Sequence, residues 1–299
     1  MSRTRTRKTA QASSSTDNEK KTVTINLSAP TSWQELSQEQ LRYVLKLMTE
    51  FGDGIPTKVM MFVRFCGIEV IKRTRMGWKC RLMVDGKPKI IFLQRWQIQS
   101  FIHQFDFIDT YEDMDCRLDA VCGLAAVDPL LHGVSFGDYL MAEKYYQMYI
   151  QNKDSEMLDN LAVWLYADEN GLHAGQEKDV WVEEMRGKEK VSKFVHVSND
   201  TDVVLSPEEH LGTFLWYSHV KSVLSKHFTH FLRKVDAESG EAVSGKSILE
   251  QYNIQLRALT GGDATKEKDV LALDCWRALT ELDAKAREAE ELEKIRKKH

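Results

Sequence analysis

A chain of 299 residues, 42% of them hydrophobic, is long enough for one large domain or two ordinary ones and has ample material for a core. Charged residues make up 29% and leave a formal net charge of -4, a balance that does not call for a polyanionic partner. Five cysteines, Cys66, Cys80, Cys116, Cys122 and Cys275, are an odd number spread over a large chain; they predict free buried thiols in a reducing, cytoplasmic setting and argue against a disulfide framework.

Arg3, Arg5, Arg7 and Lys8 are followed by Gln, Ala, Ser and Thr where a signal peptide needs an apolar stretch, so residues 1–21 read as a flexible basic arm. No window approaches the roughly 18 to 20 apolar residues of a membrane-spanning helix. Val23, Ile25 and Leu27 alternate as in a short strand. Ser37 with Gln40 forms a capping-box pattern that opens a helix through about Phe51, and Pro56 opens another that Gly67 ends. From Ile68 to Leu93 the pattern turns β-prone, with Asp85-Gly86 as a hairpin turn, before helical spacing returns over Gln94 to Phe107.

Ser135 is a cap for a helix carrying Phe136, Leu140, Tyr145, Tyr149 and Ile150 as burial candidates, and a further helix spans about Met157 to Tyr166. Residues 167–205 hold Gly171, Gly175 and Gly187 among charged residues and read as a long loop or insertion at a domain boundary. Ser206-Pro207 opens a helix to about Val235, and another runs from Ser247 to Leu259. Asp263 is expected to cap one long helix to Lys298, in which Leu271, Cys275, Leu279, Leu282, Ala286 and Ala289 recur every three or four residues. The fold class expected is mainly α, of α+β type, with a small β-hairpin element in the N-terminal third and a long C-terminal helix. The parts are an arm over 1–21, an α+β domain over 22–166, the insertion, and a helical region over 206–299.

No catalytic, metal or cofactor motif meets its structural context. Gly240 to Ser247 satisfies the phosphate-loop pattern GxxxxGK[ST], in which backbone N–H groups wrap phosphate, Lys neutralises charge and Ser holds magnesium. Phe228 to Ala237, just before it, reads as helix and not as the strand such a loop requires, so a solvated interhelical loop is the expectation. His219, His227 and His230 share one predicted helix without an accompanying carboxylate motif, which favours packing over metal ligation. Asp106, Asp109, Glu112, Asp113, Asp115 and Asp119 miss the ordered spacing of a calcium loop and read as a solvated acidic face. Arg3, Arg5, Arg7 and Lys8, joined by Arg73 and Arg75 beside Trp78, are the candidates for contact with nucleic acid, by phosphate neutralisation and stacking. Basic tails and hairpins are also ordinary surface features.

Two stretches carry a resemblance: Thr31-Ser-Trp-Gln-Glu-Leu-Ser-Gln-Glu-Gln-Leu41, and Gln255-Leu-Arg-Ala-Leu-Thr-Gly-Gly-Asp263 running into Asp274-Cys-Trp-Arg-Ala-Leu-Thr-Glu-Leu282. They resemble an uncharacterised family of gut anaerobic bacteria, often encoded within prophage tail-gene modules in the position of a tail assembly chaperone. The resemblance implies a non-enzymatic assembly or interaction protein with phage tail components as partners; the residues themselves give no expectation of a cofactor or a membrane. Leu279, Leu282, Ala286 and Ala289 are then the candidate partner-binding stripe; its alternative is packing in the protein's own core. Nucleic-acid binding through the basic arm and hairpin is the competing reading, and a phosphate-loop nucleotide binder the third.

Overall fold

In a computed structural model of the chain, residues 9–13, 22–84, 86–110, 114–186, 189–232 and 245–297 are described. Helices dominate and small antiparallel sheets accompany them, as expected from the sequence. The chain divides into two compact units, Met1–Met114 and Asp115–His299.

In the first unit, β1 (Thr9–Ser13) and β2 (Thr22–Asn26) pair as a hairpin that joins a five-stranded antiparallel sheet of order β2-β1-β5-β4-β3. Thr9–Ser13 is thus a strand inside the segment expected to be a flexible arm, because its backbone groups find partners on β2. Ser37 caps α1 (Gln38–Phe51) with both bonds of the capping box, and Pro56 sits in the first turn of α2 (Ile55–Phe65). The meander follows as β3 (Glu69–Thr74), β4 (Gly77–Val84) and β5 (Lys87–Gln94). At Gly77, with φ 152°, a Cβ would stand 2.0 Å from the Leu93 carbonyl oxygen, so only glycine lets β4 and β5 close there.

On β4, Cys80 and Leu82 are buried while Lys79, Arg81 and Met83 are exposed, so one face of the sheet carries the core and the other is open. Helix α3 (Arg95–Ile102) and a 3-10 segment (His103–Asp109) complete the unit. Phe62 stacks on Phe101 at 5.1 Å, and the buried Trp33 donates from Nε1 to the Thr110 carbonyl at 3.3 Å.

The second unit has a small sheet of β6 (Ala120–Val121), β7 (Leu124–Ala126) and β8 (Tyr166–Ala167), with helices α4 (Phe136–Asn152), α5 (Glu156–Leu165) and α6 (Pro207–His227). The expected boundary after residue 166 does not separate compact bodies: α5 packs on both α4 and α6, so the two sides share one core. Ser135 caps α4, its Oγ accepting from the Asp138 N–H at 3.0 Å, and Phe136 and Leu140 are buried. Tyr145 and Tyr149 are only half-buried and Ile150 is exposed.

Within 167–205, expected to be a long loop or insertion, lies a hairpin of two ten-residue strands, β9 (Glu177–Arg186) and β10 (Glu189–Ser198). Helix α6 ends at His227, short of Val235; Phe228 to Leu232 continues as turn, and residues 233–235 lie outside the described ones.

Helix α7 (Gly245–Thr260) is followed by two helices where one was expected, α8 (Glu267–Leu271) and α9 (Cys275–Arg296). Asp263 caps only a short 3-10 turn, accepting from the Thr265 N–H at 3.1 Å. The cap of α9 is Asp274: its Oδ1 accepts from the Arg277 N–H at 3.1 Å and its Oδ2 from the Gly133 N–H at 2.7 Å. The break is held from the other side too, by Phe136 N–H donating to the Leu273 carbonyl at 2.7 Å and Cys275 N–H to the Val134 carbonyl at 2.9 Å. Trp276 Nε1 donates to the Leu130 carbonyl at 2.7 Å and Trp216 Nε1 to that of Pro129 at 2.9 Å, so two indoles clamp the loop before α4.

Candidate functional site

The sequence IPTKVMMFVRF makes α2 apolar on more than one face. Thr57, Lys58, Met61 and Phe62 turn into the unit and are buried. Ile55, Val59, Met60 and Val63, at i, i+4, i+5 and i+8, form a second stripe that faces outward; Ile55 is 68% and Met60 42% exposed. A groove runs along each side of this ridge. One, of about 590 Å³, is floored by Val59, Trp78, Ile98 and Ile102 and edged by Arg75, Arg95 and His103. The other, of about 550 Å³, is floored by Val63, Ile68 and Val70 and edged by Tyr43, Arg64 and Arg73.

Arg75 and Arg95 have no ion-pair partner among the described residues. Arg73 lies over the Trp78 ring at 4.9 Å, and Arg64 reaches Glu39 only at 3.4 Å, both groups well exposed.

Below the first groove, Lys58 Nζ bonds Asp106 Oδ1 at 2.7 Å and Asp109 Oδ2 at 2.6 Å. Its side chain is 8% exposed, against 50% and 47% for the two carboxylates. Burial pushes the Lys58 ammonium down, but bonds to the two carboxylates more than offset this and hold it above the usual lysine range. The bond from Lys58, aided by one from His103 at 3.0 Å, outweighs burial at Asp106 and holds its carboxyl below the usual range. Lys58 is therefore a fixed cation, not a nucleophile. Asp106 and Asp109, expected on a solvated acidic face, are exposed and at the same time anchor it.

The unit around this site is basic. Met1–Met114 carries 18 Lys and Arg against 12 Asp and Glu, and Asp115–His299 carries 23 against 33, so formal charges of +6 and -10 lie behind the whole-chain -4. The ridge and this division went unread in the sequence, although both were available: the first as apolar spacing on two faces of α2, the second by counting each half separately.

The other candidates fall elsewhere. Leu279 and Leu282 are buried in the core, Ala286 is half-buried and Ala289 exposed, so the proposed partner-binding stripe is mostly the seam by which α9 packs on α4 and α7. Arg3, Arg5, Arg7 and Lys8 lie outside the described residues, while Arg73 and Arg75 are exposed at the end of the β3–β4 hairpin. Of the phosphate-loop match, Gly240 to Ser244 lies outside the described residues; Gly245 to Ser247 begins α7, which packs against the helices α4, α8 and α9.

His227 lies edge-on to the Trp276 ring at 5.1 Å, His230 Nδ1 meets Glu290 at 3.2 Å, and His219 is buried. No group of three His, Cys, Asp or Glu among the described residues is placed to hold a metal ion. The described cysteines are free; burial pushes the Cys66, Cys116 and Cys275 thiols up to about 12 and that of Cys80 to about 11. Among the described residues no helix is long and apolar enough to cross a membrane. Comparison with protein-family models, curated proteins and solved structures gave no match.

Proposed function

We propose that the protein is a non-enzymatic interaction protein with the assembly role that its sequence resemblance implies, of the phage or prophage type and in the manner of a tail assembly chaperone. Its docking surface is the α2 ridge. The observation that carries this reading is an apolar helix face left open between two grooves whose edges bear arginines, on a unit of formal charge +6. Such a surface fits an amphipathic protein segment with carboxylates beside its apolar side chains. Met60→Glu puts a charge on the crest of the ridge at an exposed position and leaves the fold intact. Affinity capture from prophage-induced cells, quantified by mass spectrometry, should recover tail components with the wild type and about tenfold less with Met60→Glu. Equal recovery would remove the ridge from the reading, and recovery of no tail component would remove the assembly role.

A second reading is favoured by one observation, the run of exposed cations Lys72, Arg75, Lys79 and Arg95 without ion-pair partners among the described residues. It is nucleic-acid binding by the β3–β5 meander together with the basic residues before it. Its signature is fluorescence anisotropy of a labelled oligonucleotide that falls steeply with salt and falls further with Lys72→Glu/Lys79→Glu. Absence of binding at low salt eliminates it.

A further inference from the structure

We infer that the α2 ridge receives the last turns of α9 from a second copy of this chain. The inference rests on reading that ridge as a docking face, and it names the occupant. Helix α9 is buried only at its near end, by Cys275, Ala278, Leu279 and Leu282. Beyond these the helix runs on to Arg296 and exposes two large apolar side chains, Leu292 at 67% and Ile295 at 56%. At helical spacing Glu288, Glu291, Leu292 and Ile295 share one face, within an arc of about 100°. Glu288 and Glu291 have no ion-pair partner among the described residues, whereas Glu290 and Glu293 are held by His230 and Lys297.

The two surfaces complement each other in shape and sign. The face of α9 has a pair of aliphatic side chains one turn apart with carboxylates beside them. The ridge has the exposed Ile55 and Met60 on its crest, a groove on either side floored in part by Val59 and Val63 to take a side chain, and Arg75, Arg95, Arg73 and Arg64 on the groove edges. Burial of Leu292 and Ile295 supplies the attraction, and pairing of the glutamates with the arginines sets the orientation. The same sign relation holds at the scale of the units, a +6 unit of one copy meeting a -10 unit of the next.

Because the surfaces differ, the contact is heterologous. A pair joined by one such contact leaves one ridge and one α9 tip unused, so association continues to longer chains or closes into a ring, the smallest of which is a reciprocal pair.

Sedimentation velocity over about a hundredfold range of concentration tests this directly, with the full chain throughout. The wild type should show a mean mass that climbs with concentration to that of two copies or beyond. Leu292→Glu/Ile295→Glu and, separately, Met60→Glu should each weaken association about tenfold or more. Both substitutions lie on exposed positions, and circular dichroism will report whether the fold is kept. Mixing the two variants is the decisive arm: one keeps an intact ridge and the other an intact tip, so the mixture should recover a species of two copies and stop there. A monomeric wild type at every concentration, association untouched by either variant, or a mixture that stays monomeric would each overturn the inference. Loss of tail-component capture by Met60→Glu alongside a monomeric wild type would leave the docking reading standing and sink only its assignment to a second copy.

Discussion

Removing one side of the Lys58 cluster should cost more than removing the other. The lysine side chain is 8% exposed and the two carboxylates about half exposed, so the partners depend on one another unequally. Lys58→Met replaces a buried charge by an apolar chain of similar length and returns two carboxylates to partial hydration. Buried ion pairs exchanged for packed apolar groups are often neutral, and half-exposed carboxylates need little help, so the expected loss is about 0 to 1 kcal/mol. Asp106→Ala/Asp109→Ala instead leaves a largely covered ammonium at the groove wall with neither bond, which costs about 1 to 3 kcal/mol. Each single Asp→Ala should fall between, because the remaining carboxylate still holds the cation. Urea unfolding followed by tryptophan fluorescence resolves these differences, and Trp33, bonded to Thr110 beside Asp109, reports on this corner of the unit. A Lys58→Met loss equal to or larger than that of the double alanine variant would refute the argument from unequal burial.

Asp274→Ala removes a helix cap and the acceptor for Gly133 together and should destabilise by about 2 to 3 kcal/mol, whereas Asp263→Ala, which frees only a 3-10 turn, should lose under about 1 kcal/mol in the same urea titration. The buried His173 lies 3.6 Å from Asp138; burial lowers the imidazole's pKa, but Asp138 and the Tyr166 carbonyl outweigh it and hold the group above 6.5. Burial likewise pushes Asp138 up, and bonds from His173 and Ser135 bring it below 3.8. The histidine's contribution is complete below 6.5 and lost as pH rises through its raised folded value; that of the aspartate is complete above 3.8 and lost as pH falls through its lowered one. The urea midpoint should therefore decline above pH 6.5, and His173→Gln should flatten that decline. Thiols held at about 11 to 12 keep only about one part in a thousand or less as thiolate at pH 8, so Cys66, Cys80, Cys116 and Cys275 should resist iodoacetamide in the native state and label fully in urea. Rapid native labelling of Cys80 and Cys275, the two that are fully buried, read by mass spectrometry, would contradict this.

What was legible in the sequence was local. Ser37 with Gln40, Ser135, and Ser206 ahead of Pro207 each state a helix start within four residues, and all three are built as read. What escaped was decided at a distance. Asp263 and Asp274 look alike as caps, and backbone groups far away in sequence, those of Gly133, Val134 and Phe136, select the second and split the expected helix. The hairpin of β9 and β10 was concealed by its charges, although Val180 with Val182 and Val195 with Val197 keep the period of two. The ridge on α2 escaped because chemistry was sought among polar residues, while the signal was a helix with too many apolar faces for one core. The division of charge was lost by averaging over the chain.

The β9–β10 hairpin is closed at its root by a backbone pair, the Gly175 N–H donating to the Asn199 carbonyl at 2.7 Å and the Asn199 N–H to that of Gln176 at 2.9 Å, and the Asn199 side chain adds a bond to the Leu172 carbonyl at 2.8 Å. Those rungs do not depend on the length of the ladder above them. Strand residues opposite one another, such as Val182 with Lys193 or Glu183 with Ser192, form a register from which pairs can be deleted or added two by two. The hairpin is thus an exchangeable cassette, a place where a reporter peptide or a fluorescent label can be spliced in while the helices beneath it keep their packing.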